Sequence, residues 1–267
     1  MPHANPGIHH VKVGDAVVTA LNDGQFDADL AWVTGLPANE AEGLLRETFR
    51  VLPPRITVSC FLIRVGGKNI LIDGGAGGAM GHVLGHARHR LAAIGVAPDS
   101  IDTLLITHAH VDHVNGLLDE SGGALYPNAD LFIHQAETDF WLSEAVQAQA
   151  PESAQMYFGI AQRALAPYAA RTRRIKDGDE VLPGITALHL PGLQFAQPVA
   201  GMAFDIDGEQ GRATRARTLD LVATDKLLLA GMHLDFPTFG HVRRAGAGYA
   251  FEPVVWAPTD SGLFSGD

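Results

Sequence analysis

Apolar and polar residues alternate along residues 11–21, and that period of two predicts a β-strand closed by the turn formers Asn22-Asp23-Gly24. Two more strands are expected at 59–65 and 69–72, where apolar runs flank Gly66-Gly67, a pair suited to a tight hairpin. The glycine-rich stretch Asp73-Gly74-Gly75-Ala76-Gly77-Gly78 leads into a helical pattern over 83–94, which Gly95 and Pro98 stop. The short apolar runs at 101–106 and 131–134 read as strands, and the pattern then turns helical at 137–142 and 152–165. In the second half a strand is expected at 185–190, ended by Pro191-Gly192, followed by a helix over 210–223 and strands at 226–230 and 249–256. The chain thus runs twice from β-rich to helical. That order predicts one α/β domain over 1–267, an αβ/βα sandwich with two facing sheets and helices outside.

Composition narrows the function classes. With 46% apolar residues, the 267-residue chain can bury a sizeable core. A net charge of −11 argues against a nucleic-acid surface, and the short basic stretches Arg171-Thr172-Arg173-Arg174 and Arg243-Arg244 read as solvated faces. No apolar run approaches the roughly 20 residues of a membrane span, and the N-terminus lacks a basic start followed by an apolar segment. The expectation is a cytoplasmic protein with no membrane partner. The lone cysteine, Cys60, falls inside a predicted strand, so no disulfide framework is expected and a buried, inert thiol is.

Chemistry concentrates in Thr107-His108-Ala109-His110-Val111-Asp112-His113, which carries three imidazoles and a carboxylate directly after the strand at 101–106. Ligands on a loop leaving a rigid strand can converge on one point, and this donor set suits a divalent metal such as zinc, manganese, iron or cobalt. His82, His86 and His89 recur at i, i+4 and i+7 and are expected on an exposed helix face; His3, His9 and His10 carry no assigned role. The glycine-rich loop after Asp73 is like a phosphate loop only superficially, lacking its lysine and spacing.

A strand ending in His-x-His-x-Asp-His resembles the signature of the metallo-β-lactamase superfamily. Within it, Val18-Thr19-Ala20-Leu21-Asn22-Asp23-Gly24, Asp139-Phe140-Trp141-Leu142-Ser143, Met232-His233-Leu234-Asp235-Phe236-Pro237, Gly240-His241-Val242-Arg243 and Gly248-Tyr249 are similar to the methyl parathion hydrolases and their lactonase and arylesterase relatives. The resemblance implies one metal held by His108 and His110 and a second by Asp112, His113 and His233, with Asp112 also in the catalytic machinery and Asp73 orienting a ligand histidine. It implies zinc, as one or two ions, and hydrolysis by metal-activated water.

The family's third metal histidine and its bridging aspartate have no counterpart here. Leu188-His189-Leu190-Pro191-Gly192 begins the segment that should carry the histidine, but passes directly to Leu193-Gln194-Phe195-Ala196-Gln197-Pro198. The expectation is an internal deletion of about 20 to 30 residues, on the order of two strands. His189, or one of Asp205, Asp207 and Asp235, stands as a substitute ligand, and the gap is expected to be either repacked or covered by a partner chain, as in a homodimer. Met80, Trp141, Tyr157 and Phe158 match positions that line the family's pocket, and apolar walls favour a small neutral ester, lactone or phosphotriester. The alternative is a degenerate relative that keeps the fold and at most one metal, with a binding or structural role.

Overall fold

The structure, a computed structural model, describes residues 6–182, 185–186, 201–202 and 208–255. In chain order its strands are β1 (Ile8–Val13), β2 (Ala16–Asp27), β3 (Val33–Thr34), β4 (Arg55–Val65), β5 (Lys68–Ile72), β6 (Thr103–Ile106), β7 (Asp130–His134), β8 (Thr172–Ile175), β9 (Glu180–Leu182), β10 (Ile185–Thr186), β11 (Gly201–Met202), β12 (Leu229–Ala230), β13 (Phe239–Ala245) and β14 (Gly248–Pro253). Strands and helices mix as expected for the α/β class. The described residues divide into two compact units, the first comprising 6–24, 58–182 and 185–186, the second 25–57, 201–202 and 208–255.

The first unit is built on a seven-stranded sheet in the order β1-β2-β4-β5-β6-β7-β8. In its first half β1 with β2 and β4 with β5 pair antiparallel. β1 and β2 pair from Ile8 with Leu21 to Val13 with Ala16, so the single strand expected at 11–21 is a hairpin, turned at Gly14 in the left-handed region (φ 59°). From β5 onward the pairing is parallel: Ile70 aligns with Thr103, Thr103 with Asp130, and Leu131 with Thr172. Four parallel strands therefore end side by side, and the segments leaving the first three bring Asp73, residues 107–113 and the helix Gln135–Trp141 to one edge of the sheet. The crevice outside the carboxyl ends of parallel strands is where α/β folds bind ligands.

The core explains why this edge is rigid. Leu62, Leu71, Leu104, Leu131 and Ile133 are fully buried beneath Leu91 of the helix Ala87–Ala93 and Phe158, Ala161 and Leu165 of the helix Glu152–Leu165. Each large apolar side chain so buried contributes about 1.5 to 3 kcal/mol. The Tyr168 hydroxyl donates to Leu117 O (2.8 Å) and accepts from Tyr126 N (3.1 Å), pinning the turn Asn115–Leu117 just past the histidine-rich loop.

Several expectations need correction. Asn22-Asp23-Gly24 is no turn: β2 runs through it to Asp27, and Asp23 is buried. Its carboxylate accepts from the backbone amides of Ala76 (2.9 Å), Gly85 (3.0 Å) and Ala87 (2.8 Å), which supplies locally the hydrogen bonds that a turn reading would leave to water. The helix expected at 83–94 is only Ala87–Ala93, preceded by a separate short turn Gly81–Val83. Gly85 breaks it with φ 92°, at a spot where a Cβ would lie 2.0 Å from Gly77 O. His82, His86 and His89 consequently share no single helix face, and they form no metal-sized group among the described residues. The helix at 152–165 matches its expected bounds, while a further helix, Glu144–Gln149, is capped by Ser143 accepting from Val146 N (3.3 Å).

In the second unit β12, β13 and β14 form an antiparallel sheet, against which Leu219 and Val222 of the helix Gly208–Thr224 pack beside Val242. The β13–β14 hairpin pairs Ala245 with Gly248 around Gly246 (φ 57°), so the expected last strand at 249–256 has an unexpected neighbour. β12 is shorter than the expected 226–230, because Lys226 takes a left-handed turn conformation (φ 53°). Of the strand expected at 185–190, only Ile185–Thr186 is described. His189, the Leu193-to-Pro198 junction, Asp205 and Asp207 lie outside the described residues, and with them the segment bearing on the internal deletion.

Candidate metal centre

The turn after β5 sets the first element of the site. Asp73 is a non-glycine residue in the left-handed region (φ 59°), a conformation that costs of order 1 kcal/mol or more and persists where surroundings over-determine it. Here its backbone amide donates to Leu105 O (2.9 Å), and the next amide, of Gly74, donates to His113 O (2.8 Å). The carboxylate is fully buried and completes the fixation: Oδ1 accepts from Thr107 N (2.9 Å), and Oδ2 from the Thr107 hydroxyl (2.7 Å). Oδ2 also lies 2.7 Å from His113 Nδ1. Thr107 and Asp73 thus lock the exit of β6 to the exit of β5.

The loop after β6 then turns back through the short helix Val111–Val114. That turn stacks the imidazoles: the ring centroids of His108 and His113 are 3.9 Å apart, and those of His108 and His110 4.6 Å. Ligand nitrogens of His108 and His113 lie within 4.8 Å of each other. Because Asp73 engages His113 Nδ1, Nε2 is the nitrogen presented outward, and it sits 3.3 Å from Asp112 Oδ2. Two donors on one tetrahedral ion at about 2.0 to 2.1 Å each are about 3.3 Å apart, so this imidazole and carboxylate have the separation that a shared divalent cation requires. Nitrogen and oxygen donors with a carboxylate behind the imidazole are also the chemistry of a zinc-type site. The residues present fit a divalent metal.

Electrostatics point the same way. Burial alone would lower the His113 pKa, but the charges of Asp112 and Asp73 and their hydrogen bonds outweigh it and push it up to about 10. The pocket therefore favours positive charge at this position. Cys60, by contrast, is buried, and desolvation followed by the charges of Asp23, Asp73 and Asp112 pushes its thiol well up, which leaves it inert as a nucleophile.

A third segment, leaving β7, closes on the loop. Glu137 Oε2 accepts from Ala109 N (2.9 Å), between His108 and His110, and from the Trp141 indole N–H (3.0 Å). The Trp141 ring stands edge-on to His110 at 5.5 Å and packs on Phe158 at 4.8 Å. Sequence reasoning missed Glu137, Thr107 and Asp23. Of the four expected pocket residues, Trp141 and Phe158 are buried in the core, Tyr157 is exposed and Met80 is half-buried. Adjacent residues on a helix diverge by about 100° in direction, which separates Tyr157 from Phe158. His233 lies in the second unit, in the turn after β12, with Nδ1 3.0 Å from Thr57 O. Asp235, offered as a substitute ligand, is paired with Arg50 at 2.6 Å.

The sequence model of the metallo-beta-lactamase superfamily matches residues 53–193, more than half of the chain. The chain belongs to the metallo-beta-lactamase superfamily. Ribonuclease Z of Mycobacterium sp. (strain KMS) is 30% identical over 147 residues, covering 55% of this chain and 42% of the relative's length. Ribonuclease Z of Aeropyrum pernix is 43% identical over 51 residues, or 14% of its length. The chain thus matches less than half the length of these curated relatives. Among solved structures, the hydrolase AbOPH in the beta lactamase superfamily superposes with a TM-score of 0.85 at 27% identity, over 94% of this chain and 99% of that one. The dizinc quorum-quenching lactonase AidC shares the fold, with a TM-score of 0.83 at 22% identity over the same 94% of this chain and 99% of its own. This superfamily fold is the αβ/βα architecture expected from the order of elements.

Proposed function

We propose that the protein is a metal-dependent hydrolase of small neutral esters, lactones or phosphotriesters, akin to the methyl parathion hydrolases, lactonases and arylesterases. The observation that carries this reading is the Asp112–His113–Asp73 arrangement, in which one buried carboxylate orients an imidazole whose outward nitrogen converges with a second carboxylate at 3.3 Å. His108, His110, Asp112, His113 and, from its motif, His233 would hold one or two divalent ions, with zinc the ion of choice; His189 stands as a substitute ligand. A bound ion there would lower the pKa of water toward neutrality and polarise the bond to be cleaved. The chain's own contributions are orientation and proton control. Asp73 fixes the His113 tautomer, Asp112 offers a carboxylate at the edge of the pocket that can take a proton from attacking water, and Trp141 gives His110 an apolar flank.

The lactonase AidC was captured in complex with a product, N-hexanoyl-L-homoserine, and on that likeness of fold lactones are included in the proposed class. The likeness to ribonuclease Z favours a rival, phosphodiester cleavage in RNA. Charge speaks against it: net −11, with Arg173 near Asp130 (4.0 Å), Arg174 paired with Asp139, Arg243 with Glu252 (2.5 Å) and Arg244 with Asp220. A polyanion is bound by cations that displace its counterions, and each of these exposed arginines has a carboxylate beside it that would oppose a phosphate. Among the described residues no helix is long and apolar enough to cross a membrane.

The test is a panel of an aryl ester, an N-acyl homoserine lactone, an aryl phosphotriester and a structured RNA, each with and without a metal chelator. Chelator-sensitive turnover of one of the first three is expected. Turnover of RNA alone would overturn the substrate class, chelator-insensitive turnover would overturn the metal dependence, and absent hydrolysis would favour the degenerate relative with a structural or binding role. Sedimentation of the same protein would test the homodimer.

A further inference from the structure

Glu137 sits in the first turn of the helix Gln135–Trp141, where a carboxylate is ordinarily explained by the helix dipole. Its contacts go further. One oxygen, Oε2, serves two donors from different parts of the site: the amide of Ala109, 2.9 Å away, and the Trp141 indole N–H, 3.0 Å away. Ala109 is buried and stands between His108 and His110, so its peptide planes set the directions in which both imidazoles leave the backbone. Trp141 is buried too, and its ring stands edge-on to His110. A hydrogen bond to an ionised acceptor is about twice as strong as a neutral one, and a shared oxygen ties the two donors to each other as well as to itself.

We propose that Glu137 is a positioning residue of the metal centre: through a single carboxylate oxygen it clamps the His108-Ala109-His110 backbone from the β7 side, as Asp73 clamps Thr107 and His113 from the β5 side. The assignment rests on the reading of this loop as a metal site. Two carboxylates, from the segments leaving the strands on either side of β6, thus hold one ligand loop, Asp73 at Thr107 and His113 and Glu137 between them at Ala109. Outer partners of this kind typically change metal affinity by about tenfold to a hundredfold when removed.

The experiment compares wild type, Glu137→Ala, Glu137→Gln and Trp141→Phe, each stripped of metal and reloaded with cobalt(II) or zinc(II). Affinity is read by chelator competition, ligand geometry by the cobalt absorption spectrum, and fold by thermal melting of the metal-free form. Glu137→Ala is expected to bind metal about tenfold to a hundredfold more weakly, with an altered cobalt spectrum. Glu137→Gln, which keeps an acceptor oxygen, should recover most of the loss. Trp141→Phe, which removes only the indole donor, should change affinity less than Glu137→Ala, because the bond to Ala109 remains. A merely structural Glu137 would lower the melting temperature of the metal-free protein and leave affinity and spectrum at wild-type values, which overturns the proposal. A glutamine variant as weak as the alanine variant would overturn it as well. Wild-type protein that takes up no metal would overturn the metal-site reading and this assignment together, whereas metal-competent wild type with an indifferent Glu137→Ala would overturn this assignment alone.

Discussion

Asp73→Asn isolates the support given to His113 without disturbing the backbone, because asparagine tolerates the left-handed conformation (φ 59°) that this position requires. The side chain keeps its shape but exchanges one oxygen for an amino group. With the remaining oxygen on Thr107 N, the amino group faces the Thr107 hydroxyl, which can rotate to accept, and His113 Nδ1, which cannot accept while Nε2 serves as a ligand. One charge-assisted hydrogen bond is lost, about 1.5 to 3 kcal/mol. At 1.36 kcal/mol per factor of ten, that corresponds to about a tenfold to a hundredfold loss of metal affinity. If His113 instead changes tautomer to satisfy the amide, its Nε2 carries a proton and drops out as a ligand, so the direction is the same. The assay is competition against a chromophoric chelator near neutral pH, with near-ultraviolet circular dichroism of the metal-free variant to establish an unchanged fold. A folded Asp73→Asn protein with wild-type metal affinity would refute the orienting role.

Asp23→Ala should cost stability far more than chemistry. Three buried or half-buried amides lose their acceptor; at about 1 to 3 kcal/mol each, with partial relaxation, the loss is on the order of 3 to 6 kcal/mol. That is much of a typical domain's margin of about 5 to 15 kcal/mol, and urea denaturation would measure it. The metal-free protein should also lose stability as pH rises. His113 holds its proton to about 10 when folded, against 6.5 for the free side chain. Between those values the folded chain binds more protons than the unfolded one, so this contribution is complete below about 6.5 and gone once pH has passed about 10. Melting curves of metal-free protein across that window should show the decline, and saturating zinc, which takes the place of the proton, should flatten it.

The histidine-rich loop was legible as a candidate site because its chemistry is local. Three histidines and an aspartate follow a short apolar strand within six positions, and both the strand β6 and the convergence of His108, Asp112 and His113 follow from that spacing. Asp73 was legible through the likeness of its turn to a known pattern. Asp23 was not, because Asn-Asp-Gly carries the strongest local turn signal, while its partners Ala76, Gly85 and Ala87 lie more than fifty residues away. Glu137 was hidden for a related reason: an acid in a first helical turn has a sufficient local explanation, and its bond to Ala109 spans 28 residues. Met80, Trp141, Tyr157 and Phe158 were placed by likeness alone, and which way each faces, Tyr157 to solvent and Phe158 to the core, was not legible from that. Long-range hydrogen bonds and the facing of side chains are tertiary facts that a one-dimensional pattern does not carry.

The central claim is that residues 108–113 hold a divalent metal. Elemental mass spectrometry of protein purified without chelator, beside a folded His113→Ala variant, tests it most directly. The account predicts one or more divalent ions per wild-type chain and a clear loss in the variant; wild-type protein without bound metal, or a variant that keeps the full complement, would contradict it.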